Sequence, residues 1–446
     1  MRRPSKPDLP PPPELPSFRV EPDPEELARA GDSAASVLDR HAGTGLIRHD
    51  FALDEALIDP DAAKVVRRLE RAGYQAYLVG GCVRDLLLGG RPKDFDVATS
   101  ARPDDVRALF RNCRIIGRRF RLAHVLFGGG KVVEVATFRR SPGENDLDDD
   151  LLIRSDNVFG EAHEDALRRD FTVNALFYDL DRRQVLDWCG GMPDIQQRTI
   201  RTIGDPTVRF REDPVRIIRA IKFSARLDLG IDPHVYDAMV ANRLELARAA
   251  RPRLFEEILR LMRAGSAHRS MWLMWEVGAM AVLLPELSAF LDDDEATDEG
   301  SLRFFRKMDA VDRKTIDEGV LDDIVLVTSL LYEPLEEAMH GVRDPMAAVS
   351  DFLEPIIERI AMPRRIADGV RRIMMMVPRI LQGRIGRFAR TELFLPALDV
   401  AEIVLRSHGQ STHAIDALRR EAMPLPAPGR EFRRPSSFPR QRGARR

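Results

Sequence analysis

The chain has 446 residues, 44% of them hydrophobic and 31% charged, with a formal net charge of −2. That length holds roughly two to four domains, and that balance is that of a soluble globular protein. No apolar run reaches the length of a membrane span, which excludes a helical membrane protein, and the small net charge argues neither for nor against nucleic acid.

In chain order, residues 1–60 read as a poorly ordered, proline-rich leader, with a proline run from Pro10 to Pro13. His49-Asp50 falls within it and is read as no metal site. Apolar spacing at Val65, Val66 and Leu69 predicts a helix from about Asp61. Strands are predicted over 75–79, 95–98, 114–117, 123–127 and 132–137, the last two joined by a hairpin at Gly128-Gly129-Gly130. Helices are predicted over 82–88 and, after Pro103, over 104–110. After about Asp213 strands stop, and amphipathic helices follow over 213–226, 253–263, 271–284, 322–331 and on to about 417. The acidic stretches 146–150 and 292–299 read as solvated loops. Beyond Pro428 come seven arginines against one acid, Glu431: either an RNA-attracting arm or a solubility tail. Cys82, Cys113 and Cys189 have no metal-ligand spacing and cannot all pair, and no apolar signal core opens the chain. The expected setting is therefore a reducing one, the cytoplasm.

The strongest chemical signal is LVGGCVRDLLLGGRPKDFDVAT, from Leu78 to Thr99. Gly80 and Gly81 stand at a strand-to-helix turn, where glycine lets backbone N–H groups approach a triphosphate and the helix start favours its charge. Asp94-Phe95-Asp96 follows, and in an extended segment the two aspartates share a face while Phe95 turns to the core. Two carboxylates aimed at one point repel unless a cation lies between them, and Mg²⁺ is the natural occupant. The pattern points to metal-assisted nucleotidyl transfer. Glu134, in the apolar strand VVEVAT, is either a third metal-binding carboxylate or the ion partner of an arginine such as Arg139. Arg168-Arg169-Asp170 opens a strand-like run to Asn174. The arginines are either a surface ion pair or a clamp on triphosphate oxygens, with Asp170 fixing them or supporting the metal centre. Asp213 and Arg216, spaced i,i+3 at the start of the first long helix, form either a local ion pair or a donor fork and acceptor that read a base edge. Arg118, Arg119 and Arg121 make a basic loop suited to phosphates, and His124 reads as structural.

These motifs, in this order, resemble the bacterial poly(A) polymerase / tRNA nucleotidyltransferase family of the polymerase-β-like superfamily. The resemblance runs from about Tyr74 to Gly265, and more loosely through the helices beyond. It rests on LVGGCVRD, KDFDVAT, VVEVATFR, EDALRRDFTVNAL, GGMPDI and REDPVRIIRAIKF. It implies Asp94 and Asp96 as the catalytic, metal-binding pair, Asp170 as a catalytic carboxylate, and Asp213 with Arg216 where the family selects the incoming base. Gly80, Gly81, Arg84 and Arg168 would hold the nucleotide. Within the family, CCA-adding members usually carry a Thr-Gly-x-x-His-Gly-Thr-like stretch just before the Glu-bearing strand. The arginine-rich RNCRIIGRRFRLAH found here looks like the poly(A) polymerase signature, as do FGEAHEDALRRDF, Leu254-Phe255-Glu256-Glu257 and the basic tail. Lys222 stands where the family often has arginine, and the leader is long and the tail short.

The resemblance implies an α+β fold. A leader (1–60) precedes a polymerase-β-like nucleotidyltransferase head with a mixed sheet and helices (61–200). A helical nucleotide-selecting neck (201–270), an all-α RNA-binding body (271–422) and a disordered basic tail (423–446) follow. The implied function is polynucleotide adenylyltransferase, with Mg²⁺ as cofactor, ATP as substrate and RNA 3′ ends as acceptor. A monomer without membrane attachment is expected, with RNA-decay machinery as a candidate partner. CCA addition to tRNA, and a non-catalytic RNA-binding protein on the same head, are the alternatives.

Overall fold

The computed structural model describes residues 45–117, 121–140, 158–293 and 299–422. The arginine tail, the acidic stretch 146–150, most of 292–299 and the basic-loop residues Arg118 and Arg119 lie outside the described residues.

Regular structure begins earlier than the composition predicts. β1 (Ile47–Asp50) lies within the expected leader, so His49-Asp50 sits on a strand. Its partner is β8, more than a hundred residues away, with Asp50 opposite Gln184. A proline-rich average hides a four-residue strand whose pairing is this remote. α1 (Pro60–Arg71) starts where Asp59 accepts hydrogen bonds from the N–H groups of Asp61 (2.8 Å) and Ala62 (3.0 Å), with Pro60 in the first turn. It buries Val65, Val66 and Leu69 as the spacing requires. The chain continues through β2 (Ala76–Val79), α2 (Gly81–Leu87), β3 (Asp96–Thr99), α3 (Pro103–Leu109), β4 (Cys113–Ile116), β5 (Leu122–Leu126) and β6 (Val132–Thr137). α4 (Ala162–Leu167), β7 (Phe177–Asp179) and β8 (Gln184–Asp187) follow.

The eight strands form one mixed sheet in the order β1-β8-β7-β2-β3-β6-β5-β4. Neighbours are antiparallel except β3 and β6, which run parallel. Alternation sorts side chains to two faces. Leu78, Val97, Val125 and Val135 pack in the large core with α1. Val79, Ala98, Phe138 and Phe177 lie in a second cluster, where Phe177 meets Trp188 edge-on at 5.3 Å. Asp96 belongs by alternation to this second face. The run after Arg168 differs from its strand-like reading: Thr172–Asn174 is a short 3-10 turn, and β7 begins only at Phe177.

After β8 the chain is mostly helical. In order come α5 (Gly191–Gln196), α6 (Pro206–Glu212), α7 (Val215–Leu227), α8 (Pro233–Asn242), α9 (Arg251–Met262), α10 (Ala267–Glu276), α11 (Ala279–Leu283) and α12 (Pro285–Leu291). They are followed by α13 (Glu299–Glu318), α14 (Asp323–Met339), α15 (Pro345–Ile360), α16 (Arg364–Leu381), α17 (Phe394–Ser407) and α18 (His413–Ala422). Strand structure does not end quite where expected, because β9 (Thr199–Ile200) and β10 (Gly230–Ile231) form a short parallel pair. One apolar cluster continues from Val65 of α1 to Ile415 of α18, so sheet head and helical body share a core. Two lysines on α13 are buried in that body and neutralised there: Lys307 by Glu333, and Lys314 by Glu318 (2.7 Å) and Glu402 (2.9 Å).

Candidate active site

The turn after β2, the start of β3, the 169–174 turn and helices α2, α7 and α9 converge on a cleft of about 390 Å³. It is lined by Gly80, Gly81, Arg84, Asp96, Arg169, Asp170, Asn174, Asp213, Arg216, Arg219, Phe223 and Arg253. Five arginines face three aspartates there, so the cleft is cationic even with every carboxylate ionised.

Gly80 follows β2 with φ +70°, ψ −124°, a conformation suited to glycine. A Cβ there would lie 2.9 Å from Arg169 Nη1. Gly80→Ala is therefore expected to combine backbone strain of about 1–3 kcal/mol with displacement of Arg169. A lowered thermal midpoint together with a raised KM for ATP is the result to look for.

Asp96 is the first residue of β3, opposite Val79 of β2 and Glu134 of β6. The residue is exposed, yet partial desolvation of its carboxyl pushes its pKa up to about 6; Glu134 and Asp94 add like-charge repulsion, and Arg169 opposes them. Asp94 stands exposed in the bend before β3, with Phe95 half-buried against the core. The partner of Glu134 is His124, at 3.5 Å, rather than Arg139. Among the described residues no three His, Cys, Asp or Glu side chains gather at metal-ligating distance. Mg²⁺ does not need three, since it is held by one or two carboxylates together with water and substrate phosphates. Asp96 stands in register with Glu134 and two residues after Asp94, and carboxylates placed together in this way are a donor set that a hard dication relieves, so these residues fit the ion.

Asp170 is buried and fully engaged. Its Oδ1 accepts from the Phe171 N–H (2.8 Å) and Asn174 Nδ2 (3.0 Å), and its Oδ2 from Arg219 Nε (2.7 Å). Burial alone would raise its pKa; the Arg219 charge and these hydrogen bonds outweigh it and hold the carboxyl at about 2. Both oxygens of Asp170 are thus engaged by Arg219, Asn174 and the Phe171 N–H. Asn174 passes the order on, because its Oδ1 accepts from Arg84 and its carbonyl from Arg169 Nη1 (3.0 Å). Arg84 and Arg219 both lie over the Phe223 ring, at 5.0 and 5.4 Å.

Of the arginine pair, Arg169 lines the cleft and Arg168 does not. Arg168 donates from Nε to Asp165 Oδ1 (2.9 Å), while its carbonyl accepts from Arg209 (2.8 Å). Arg121 of the basic loop pairs with Asp104 at 3.3 Å. Asp213 and Arg216 both reach the cleft, but they are not paired with each other on one helix. Asp213 lies at the joint between α6 and α7 and takes both Nη groups of Arg253, at 3.2 and 2.9 Å. Arg216, on α7, donates to Glu212 (2.8 Å) and to the Arg209 carbonyl (2.9 Å).

Sequence reasoning missed Asn174, Arg219, Phe223 and Arg253. Arg216, Arg219 and Phe223 are spaced i, i+3 and i+7, so one face of α7 carries all three, and that spacing was a readable signal. Arg253 reaches Asp213 from forty residues away and left no local signal.

Two family models match the chain: the Poly A polymerase head domain over residues 76–201, and the "Probable RNA and SrmB- binding site of polymerase A" over 228–291. The chain is 37% identical to poly(A) polymerase I of Salmonella typhimurium over 399 residues, covering 84% of this chain and 85% of that protein. It is 37% identical to the CCA-adding enzyme of Geobacillus thermodenitrificans over 227 residues, covering 51% and 55%. Among solved structures, the Bacillus stearothermophilus CCA-adding enzyme in complex with CTP is similar, with TM-score 0.60 and 27% identity over 81% of this chain and 82% of that one.

Proposed function

We infer the working of this cleft from one premise: the chain belongs to the poly(A) polymerase family. It is a template-independent polynucleotide adenylyltransferase that transfers AMP from ATP to RNA 3′ ends. The observation that carries adenylation over CCA addition is coverage. At the same 37% identity, the sequence match to the Salmonella typhimurium poly(A) polymerase I extends over 84% of the chain, and that to the Geobacillus thermodenitrificans CCA-adding enzyme over 51%.

In the reaction the RNA 3′-oxygen forms a bond to the α-phosphorus of ATP, and the bond to pyrophosphate breaks. Asp94 and Asp96, with Glu134 beside them, would hold Mg²⁺, which when bound acidifies the attacking hydroxyl and neutralises the leaving oxygens. The chain's own residues do the rest. The Gly80-Gly81 turn brings backbone close to the phosphates. Arg84, Arg169 and Arg219 neutralise phosphate charge from a fixed frame, ordered by Asn174 and Asp170. Arg168 contributes by bracing Asp165, which also holds Arg169 (3.0 Å). Asp213 accepts from, and Arg216 donates to, the edge of the base. The division into head, neck, body and tail at residues 200, 270 and 422 belongs to the same reading.

No helix among the described residues is long and apolar enough to cross a membrane. The three cysteines are free and have no metal-ligand spacing, which supports a cytoplasmic setting.

The test is incorporation by the purified chain with Mg²⁺, offering ATP or CTP to an oligo(A) primer and to a tRNA lacking its CCA end. Long extension of the oligomer with ATP alone is expected. Addition that stops after C, C and A on the tRNA would make it a CCA-adding enzyme, and no incorporation on either acceptor would leave an RNA-binding protein.

A further inference from the structure

A second concentration of positive charge lies far along the chain from the cleft. Between Arg364 and Arg390 there are eight arginines and one acid, Asp368, in a chain whose net charge is −2. The surrounding fold orders this charge. α16 buries Ile366, Val370, Ile373, Met374, Val377 and Ile380 against its neighbours. Arg365, Arg372 and Arg379 are seven residues apart, so they fall on one solvent face with a rise of about 10 Å between successive members. All three are exposed. The single acid on that face, Asp368, is taken by Arg371 at 2.7 Å, so it does not neutralise the stripe. Past the turn at Gly383 (φ +70°) the exposed Arg384, Arg387 and Arg390 continue the charge.

None of these six side chains has an ion partner among the described residues, whereas Arg359, Arg406 and Arg419 of neighbouring helices are paired with acids. The six arginines therefore add no ion pair to the fold and repel one another. Surface charges of the two signs are ordinarily interspersed, and here one sign is concentrated and periodic.

We propose that the outer face of α16 and the turn after it form a docking track for the phosphate backbone of RNA. This rests on the adenylation reading, in which the polymeric substrate is a polyanion that must be held away from the cleft as it lengthens. Regularly spaced guanidinium groups suit phosphates without reading sequence, as a tailing enzyme requires. The track lies outside residues 228–291, which match the RNA-binding family model.

The test compares the whole chain with the triple variant Arg365→Gln, Arg372→Gln, Arg379→Gln, which keeps helix propensity and removes three charges. Binding of oligo(A) is measured by fluorescence anisotropy at several salt concentrations, and AMP incorporation is measured on primers of about six and about forty nucleotides. The long oligomer is expected to bind about 10- to 100-fold more weakly, and the slope of log affinity against log salt to flatten by about 2. Incorporation on the short primer is expected to stay at the wild-type rate. Unchanged affinity and slope for the long oligomer would overturn the proposal. So would equal losses of incorporation on short and long primers. If the wild-type chain adds no AMP, the adenylation reading fails, and the binding measurements still decide whether RNA uses the stripe.

Discussion

Asp96→Ala is expected to lower AMP incorporation by at least about 10³-fold, the scale on which loss of a group that stabilises transition-state charge is felt. Asp96 lies at the edge of the cleft, in register with Glu134 on the neighbouring parallel strand. Its side chain holds no cap and closes no core, so the fold is expected to survive, with an unchanged circular dichroism spectrum and thermal midpoint. Asp94→Ala is expected to act in the same direction, because Asp94 stands two residues before it. A readout independent of turnover is available: Mn²⁺ binding followed by electron paramagnetic resonance should lose its tight component in either variant. Wild-type incorporation in Asp96→Ala would sink the assignment of this carboxyl to the metal, whatever the family.

Asp170→Asn is expected to cost both stability and activity, for a different reason. The carboxylate neutralises the Arg219 guanidinium through Nε and Nη2, at 2.7 and 2.5 Å. An amide cannot, and the arginine is left poorly paired beside Arg84 on the Phe223 ring. The pKa of Asp170 is held at about 2 against an ordinary 3.8, which corresponds to roughly 2 kcal/mol of folding stability. The sign follows from linkage. A depressed carboxyl contributes fully above its unfolded pKa and loses that contribution as pH falls through the folded one. The gap between wild type and variant in urea unfolding should therefore be full at about pH 5 and clearly narrower by about pH 3. An equal gap at both would show that Asp170 stabilises through packing rather than charge. The kinetic consequence is a raised KM for ATP, since Arg219 no longer holds its place toward the phosphates. An unchanged KM would remove Arg219 from nucleotide binding.

The local elements were legible because their causes are local. The apolar spacing at Val65, Val66 and Leu69 announces α1, Pro103 announces α3, and the apolar run VVEVAT predicts β6 at its observed limits, Val132–Thr137. The places of Gly80 at the β2–α2 turn and Asp96 at the head of β3 were readable for the same reason: they depend on residues within a few positions. β1 was missed because its partner, β8, is remote in sequence. The choice of Arg169 over Arg168 as the cleft residue turns on which side chain reaches Asn174 and Gly80 after the chain has folded.

By itself, then, the sequence determined the order of sheet head and helices, the glycine turn and the family resemblance, all carried by short-range patterns of size, charge and backbone freedom. The tertiary structure decided which charges meet. It set Asp170 against Arg219 across forty-nine residues, Asp213 against Arg253 across forty, and Glu134 beside Asp96 by strand register. A charge's partner depends on distances of a few ångströms in space, and separation along the chain does not encode those distances.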